Sequence, residues 1–196
     1  MPTGKKIYWD TCVFLSWLRD ETRPQEIKDG IDKVLTDVQE HNCTLYTSAI
    51  TQIEILPSFF TSEEKAEEYR LLFDRPNVVT VAVDLRVGRI ASEIRDFYHG
   101  QNPQVKFSIP DVIHIASAIV IGADEMQTLD GCGARRKPED ILSLSGKKIA
   151  DKYDLELATP LFLTPLFAPD QLDGKATERP ALPPRKQQTK ITAKKK

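Results

Sequence analysis

The stretch that most limits how this chain can fold is SIPDVIHIASAIVIGADEMQTLD, Ser108 to Asp130. Ser108 and Pro110 open a helix whose apolar positions, Val112, Ile115, Ala116, Ile119 and Val120, run to a stop at Gly122. Serine before the first turn, proline inside it and glycine just past the end are the residues that start and stop a helix. Met126 to Asp130 then reads as a strand closed by an acid. The stretch therefore reads as helix, glycine stop, strand. One carboxylate, Asp111, sits in the first turn of the helix and another, Asp130, just past the strand.

The rest of the chain supplies the layers. Ile7 to Trp9 reads as a short strand ending at Asp10, and the apolar run from Thr11 to Leu18 as a helix. Pro24 starts a second helix with Ile27, Ile31, Val34, Leu35 and Val38 at spacings of three and four. Thr44–Thr47 is strand-like. A helix is expected from Ala49 to about Leu56, capped by Ser48 or Thr51 and ended or kinked by Pro57. Ser62-Glu63-Glu64-Lys65 opens another helix. Asn77–Val83 is β-branched and reads as a strand, Asp84 caps a helix to His99-Gly100, and Ile141–Leu144 reads as a further strand. Alternating strands and helices predict a central parallel sheet covered on both faces, a three-layer α/β/α sandwich.

Charge divides the chain. Of 27 basic and 29 acidic residues, eight basic and one acidic lie from Gly174 onward, so residues 1–173 hold 19 against 28, a net of −9. The expected organisation is a main domain over residues 1–146, an extension over 147–169 packed on it in extended form, and a basic, disordered tail over 170–196. Cys12, Cys43 and Cys132 are odd in number and lack a CxxC pair, which argues against a disulfide framework or a cysteine zinc site. With no signal-like N-terminus and no apolar run long enough to span a bilayer, a cytoplasmic protein without membrane contact is expected.

Each of four acids has an ordinary structural explanation. Asp10 could cap the first helix. Glu54 completes a Thr51-x-x-Glu54 capping box, although its neighbours in AITQIEIL place it at the edge of a buried surface. Asp111 could complement the helix dipole, and Asp130 could be a turn residue. Taken together they say more. In a parallel sheet Asp10 and Asp130 fall on one edge, and the helices begun near Ser48 and Ser108 start on that edge too. Four carboxylates there would repel by on the order of several kcal/mol unless a cation sat among them. An all-oxygen donor set suits Mg²⁺ or Mn²⁺, ions that activate water for phosphodiester hydrolysis.

The order WDT…SAITQIE…IPDVIHIASAI…TLD, spanning about residues 6–146, resembles the PIN-domain ribonucleases, especially the small bacterial toxin type. The resemblance implies that Asp10, Glu54, Asp111 and Asp130 bind one or two divalent ions, Mg²⁺ or Mn²⁺, with Thr11 and Thr128 as supporting hydroxyls. It implies RNA hydrolysis leaving 5′-phosphate and 3′-hydroxyl ends, an antitoxin protein as partner, and a homodimer. Many members carry a further acid shortly after the T-x-D. Here Gly131-Cys132-Gly133-Ala134 has none, which weakens the case for a second tightly held ion. Arg135, Arg136 and Lys137 are candidates for holding RNA phosphate, against a solvated loop as the alternative. His114 is read as structural. A non-catalytic PIN-like scaffold binding RNA or protein is the alternative function. A haloacid-dehalogenase-type phosphatase is set aside, because Cys12 stands where its second aspartate would be.

Overall fold

The computed structural model describes residues 4–101, 103–133 and 135–162. The basic tail expected over 170–196 lies outside the described residues. Five strands form one sheet: β1 (Lys5–Trp9), β2 (Cys43–Ser48), β3 (Val78–Val81), β4 (Glu125–Gln127) and β5 (Leu157–Ala158), in the order β3-β2-β1-β4-β5. Every pairing is parallel. Helices α1 (Thr11–Leu18), α2 (Gln25–Gln39), α3 (Thr51–Glu54), α4 (Glu63–Phe73), α5 (Leu85–His99) and α6 (Ile109–Ile121) cover it.

Alternation along the central strand divides the core. Ile7 and Trp9 of β1 pack with Val13, Phe14, Ile31, Val34 and Leu72 of α1, α2 and α4. Tyr8 between them points to the other face, among Val87 and Ile94 of α5 and Val112, Ile115 and Ala116 of α6. Period-two side chains on strands and apolar stripes on helices therefore give two half-cores, one on each face of the sheet.

The helix ends obey local chemistry. Ser62 accepts a hydrogen bond from Lys65 N, and the Asp84 side chain caps α5 through Arg86 N and Val87 N. Gly122 closes α6 in the left-handed region, φ 62°, where a side chain would be strained. Gly30 is required for a different reason. A Cβ there would come within 2.5 Å of the Pro160 carbonyl, where the segment after β5 crosses α2.

Two expected elements differ. Residues 141–144, expected as a strand, form a 3-10 turn with Ile141, Leu142 and Leu144 all buried. Their backbone is engaged by the loop before them: Ile141 N donates to the Asp130 carboxylate at 2.7 Å and Leu142 N to Asp130 O at 3.3 Å. The place beside β4 is taken instead by Leu157–Ala158, from the segment 147–169. The helix expected over Ala49–Leu56 is one turn, Thr51–Glu54. Its N-cap residue is Ile50, no side chain caps it, and Ile55 is already extended. Among the described residues no helix is long and apolar enough to cross a membrane.

Candidate active site

The strand order places the site. From β1 the chain steps outward to β2 and β3, then returns to lay β4 on the other side of β1, so the β1/β4 pair is the topological switch point. Open α/β sheets bind ligands beyond the carboxyl ends of their strands at that point. Asp10 follows β1 directly, Asp130 stands three residues past β4, and Asp111 lies in the first turn of α6. These three line one cleft of about 470 Å³ together with Thr11, Cys12, Glu54 and His114.

Asp10 is 6% exposed and occupies the N-cap position of α1 without capping it. Its Oδ2 instead accepts from the Thr128 hydroxyl at 2.7 Å and from the Cys12 thiol at 3.1 Å. Cys12 Sγ in turn accepts from Leu129 N at 3.1 Å. Burial, followed by the Asp10 charge, pushes the Cys12 thiol well above its ordinary pKa, which keeps it a neutral donor.

Glu54 does not form the capping box that its sequence suggests. Its Oε2 accepts from Thr11 Oγ1 at 2.5 Å and lies 3.3 Å from His114 Nε2. Thr51, the other half of the expected box, is fully buried. Its hydroxyl lies 3.1 Å from that of Thr11 and 2.7 Å from that of Thr47. The Thr47 hydroxyl donates to Trp9 O at 2.9 Å. Burial alone would raise the Glu54 pKa, but the hydrogen bonds from His114 and Thr11 outweigh it and hold the group below its ordinary value.

His114, read from the sequence as structural, lies at the centre of the site. It is 1% exposed, and its Nδ1 lies 2.8 Å from the hydroxyl of Tyr8, itself wholly buried. Burial raises the Tyr8 pKa well above its ordinary value, so this hydroxyl stays protonated and can donate to Nδ1. The opposite nitrogen, Nε2, faces Thr11 at 3.1 Å, Glu54 at 3.3 Å and Asp10 at 3.5 Å. A histidine fixed from behind by a tyrosine thus stands between two of the four acids. Its spacing of three residues from Asp111 was the available signal. What the spacing could not show is Tyr8, more than a hundred residues earlier, reaching it across the sheet.

Asp111 and Asp130 are held differently. Asp111 does form the capping box: Ser108 N donates to its Oδ2 at 3.0 Å, and Asp111 N donates to Ser108 Oγ at 3.2 Å. Asp130 Oδ2 takes the Ile141 N–H, and the Thr128 hydroxyl accepts from Asp130 N at 3.0 Å. Burial raises both carboxyl pKa values. The Asp10 charge adds to this at Asp111, and the Asp111, Asp140 and Asp10 charges add to it at Asp130. Like charges this close to Asp111 and Asp130 favour a proton or a cation among them.

Glu54, Asp111 and Asp130 share one property. Each engages a single oxygen with the protein, and no hydrogen bond among the described residues reaches the other. Among those residues no three His, Cys, Asp or Glu side chains stand close enough together to hold an ion between them. As a donor set, four anchored carboxylates, three of them with an oxygen to spare, fit a hard divalent cation in chemistry, while an ion would still have to draw them inward.

Of the three basic candidates, Arg136 is occupied as a clamp: its guanidinium donates to Gly131 O at 3.1 Å and Leu142 O at 2.9 Å. Arg135 and Lys137 are exposed on the same loop and do not line the carboxylate cleft.

Comparison with known structures finds similarity to the VapBC2 complex of Rickettsia felis bound to a promoter DNA fragment. Identity is 12% over 63% of this chain and 86% of that one, with a TM-score of 0.46. A toxin–antitoxin complex from Klebsiella pneumoniae is similar at 15% identity, over 80% of this chain and 99% of that one, with a TM-score of 0.47. Neither likeness bears on activity. Comparison with curated proteins yields no match. The model of the PIN domain family matches residues 7–132, more than half of the chain, from within β1 to just past Asp130. The chain belongs to the PIN-domain family.

Proposed function

We propose that this protein is a divalent-metal-dependent endoribonuclease whose metal ligands are Asp10, Glu54, Asp111 and Asp130. PIN domains are generally nucleases, so family membership supplies the reaction class. The observation that supports the assignment to these residues is the cleft at the β1/β4 switch point, which all four carboxylates line.

A bound Mg²⁺ or Mn²⁺ would neutralise phosphate charge and acidify a water molecule. The chain's own part is to hold the acids in place. Thr128 and Cys12 fix Asp10, Thr11 and His114 fix Glu54, and backbone N–H groups fix Asp111 and Asp130. Hydrolysis then joins a water oxygen to phosphorus and breaks the bond to the 3′ oxygen, which leaves protonated. Because Gly131-Cys132-Gly133-Ala134, directly after Asp130, brings no further acid, we assign one firmly held ion. We also carry forward an antitoxin partner and a homodimer from the sequence resemblance, and a cytoplasmic location from the scattered, unpaired cysteines.

The purified protein should cleave single-stranded RNA with Mn²⁺ or Mg²⁺ and stop when EDTA is added. One observation favours the second reading, a non-catalytic scaffold: the acids are not drawn together to ligand distance. A melting temperature unmoved by Mn²⁺, with no cleavage at any metal concentration, would decide for the scaffold.

A further inference from the structure

A second, larger groove, of about 700 Å³, runs between the end of α5, the loop after Asp130 and the segment following the 141–144 turn. Phe97 and Tyr98 of α5, both partly exposed, line it together with Arg136, Lys137, Lys147 and Lys148. The only acid in its lining is Asp151. Residues 1–173 as a whole carry a net charge of −9, so four cations against one acid mark a departure from the surrounding surface.

These charges are poorly compensated. Lys148 pairs with Asp154 at 3.1 Å, but both side chains are exposed and such a pair is weak. Arg136 and Lys147 donate to backbone carbonyls, and the Lys137 backbone N–H donates to the Asp140 carboxylate at 2.6 Å, but among the described residues no side-chain cation of these three pairs with a carboxylate. Clustered cations with so little counter-charge favour a polyanion. Aromatic rings beside a basic rim are what single-stranded nucleic acid uses, stacking bases on the rings while cations track the backbone.

The groove is also tied to the carboxylate cleft. Asp130 lines the cleft and accepts from Ile141 N, while Arg136 on the groove rim holds Gly131 O and Leu142 O. One loop therefore borders both.

We propose that this groove holds single-stranded RNA to one side of the cleaved phosphate, with Lys137, Lys147 and Lys148 on its phosphates. The proposal rests on the nuclease reading for its orientation, while binding can be tested without cleavage. The full chain carrying Lys137→Ala, Lys147→Ala and Lys148→Ala is compared with wild type for binding a fluorescent single-stranded RNA in EDTA, over a salt series. Arg136 stays, because it clamps the loop. If three phosphate contacts are lost, Kd should rise roughly tenfold or more and the slope of log K against log salt should fall by about 2. With metal, KM for the same RNA should rise while kcat holds.

An unchanged Kd and slope would overturn the groove, as would an equal loss in a matched triple, Lys28→Ala, Lys33→Ala and Lys65→Ala, on α2 and α4. An equal loss of duplex DNA binding would overturn the choice of occupant. RNA binding lost in the groove triple of a protein that never cleaves would leave the groove standing and sink the nuclease reading. Intact cleavage with unaltered binding would do the reverse.

Discussion

Two halves of the candidate site meet in one cleft but are built by different means. Asp10 and Glu54 are held by side chains from elsewhere in the chain: Thr128 for the first, Thr11 and His114 for the second. Asp111 and Asp130 each rest on a backbone N–H, from Ser108 and Ile141, within eleven residues. The electrostatics follow the same line. The net effect of its surroundings lowers the pKa of Glu54, whereas burial and neighbouring acids raise those of Asp111 and Asp130. One half is a preorganised polar core, and the other is a pair of locally anchored acids whose charges call for a cation. Preorganised groups act without rearranging, while locally anchored ones can move to meet an ion.

The largest expected effect tests whether the halves act on the same ion. Asp10→Asn should lower RNA cleavage by about 10²–10³-fold, as losing one electrostatic contact to a transition state does, with its circular dichroism spectrum unchanged. Asp111→Asn should fall by the same order. Full activity in Asp111→Asn, set against a dead Asp10→Asn, would split the quartet and break the site assignment.

Next comes the core of the first half. His114→Ala removes a buried ring and leaves the Tyr8 hydroxyl without its partner, which should cost about 2–4 kcal/mol in urea unfolding. A loss below about 0.5 kcal/mol would mean that the ring is not holding this half together.

A matched pair of smaller changes sharpens the contrast. Ser108→Ala removes the α6 cap and Thr51→Val removes the hydroxyl between Thr47 and Thr11, each at about 1 kcal/mol. Only Thr51→Val should also lower kcat, because Thr51 supports the Thr11 contact to Glu54. Equal kcat in both variants would show that the hydroxyl network is structural alone.

The smallest effect is in pH. A carboxyl whose folded pKa is raised adds stability below its unfolded pKa, and that stability is lost as pH rises through the folded value. Asp111 and Asp130 are of this kind, so in EDTA the double variant Asp111→Asn/Asp130→Asn should melt higher than wild type at neutral pH, with the gap closing in acid. Glu54 has the opposite sign: its contribution is present above the unfolded pKa and lost as pH falls through the lowered folded value. Thermal melts across acid to neutral pH, repeated with Mn²⁺, read both. A gap that widened in acid would reverse the electrostatic assignment of the Asp111/Asp130 half.

Much of this was legible in the residues. The Ser108 cap, the Gly122 stop, the Asp84 and Ser62 caps and the parallel order of strands and helices are local or periodic signals, and the fold keeps them. Two stretches depart from their local signals for one reason. Ile141–Leu144 is apolar enough for a strand, but its backbone N–H groups go to Asp130 and its place in the sheet goes to Leu157–Ala158. Thr51-x-x-Glu54 has the letters of a capping box, but its side chains turn to Thr11, Thr47 and His114.

By itself, then, the sequence determined that four acids fall at the ends of elements on one edge of a parallel sheet, because strand direction and helix starts are set by local pattern. Only the tertiary structure decided how the acids are held. Tyr8 reaches His114, Thr128 reaches Asp10 and the basic groove assembles from α5 and two loops only once distant segments are packed together. No period or spacing along a chain encodes which buried hydroxyl will find which partner. That choice is made by packing, where an unpaired polar group is too costly to leave.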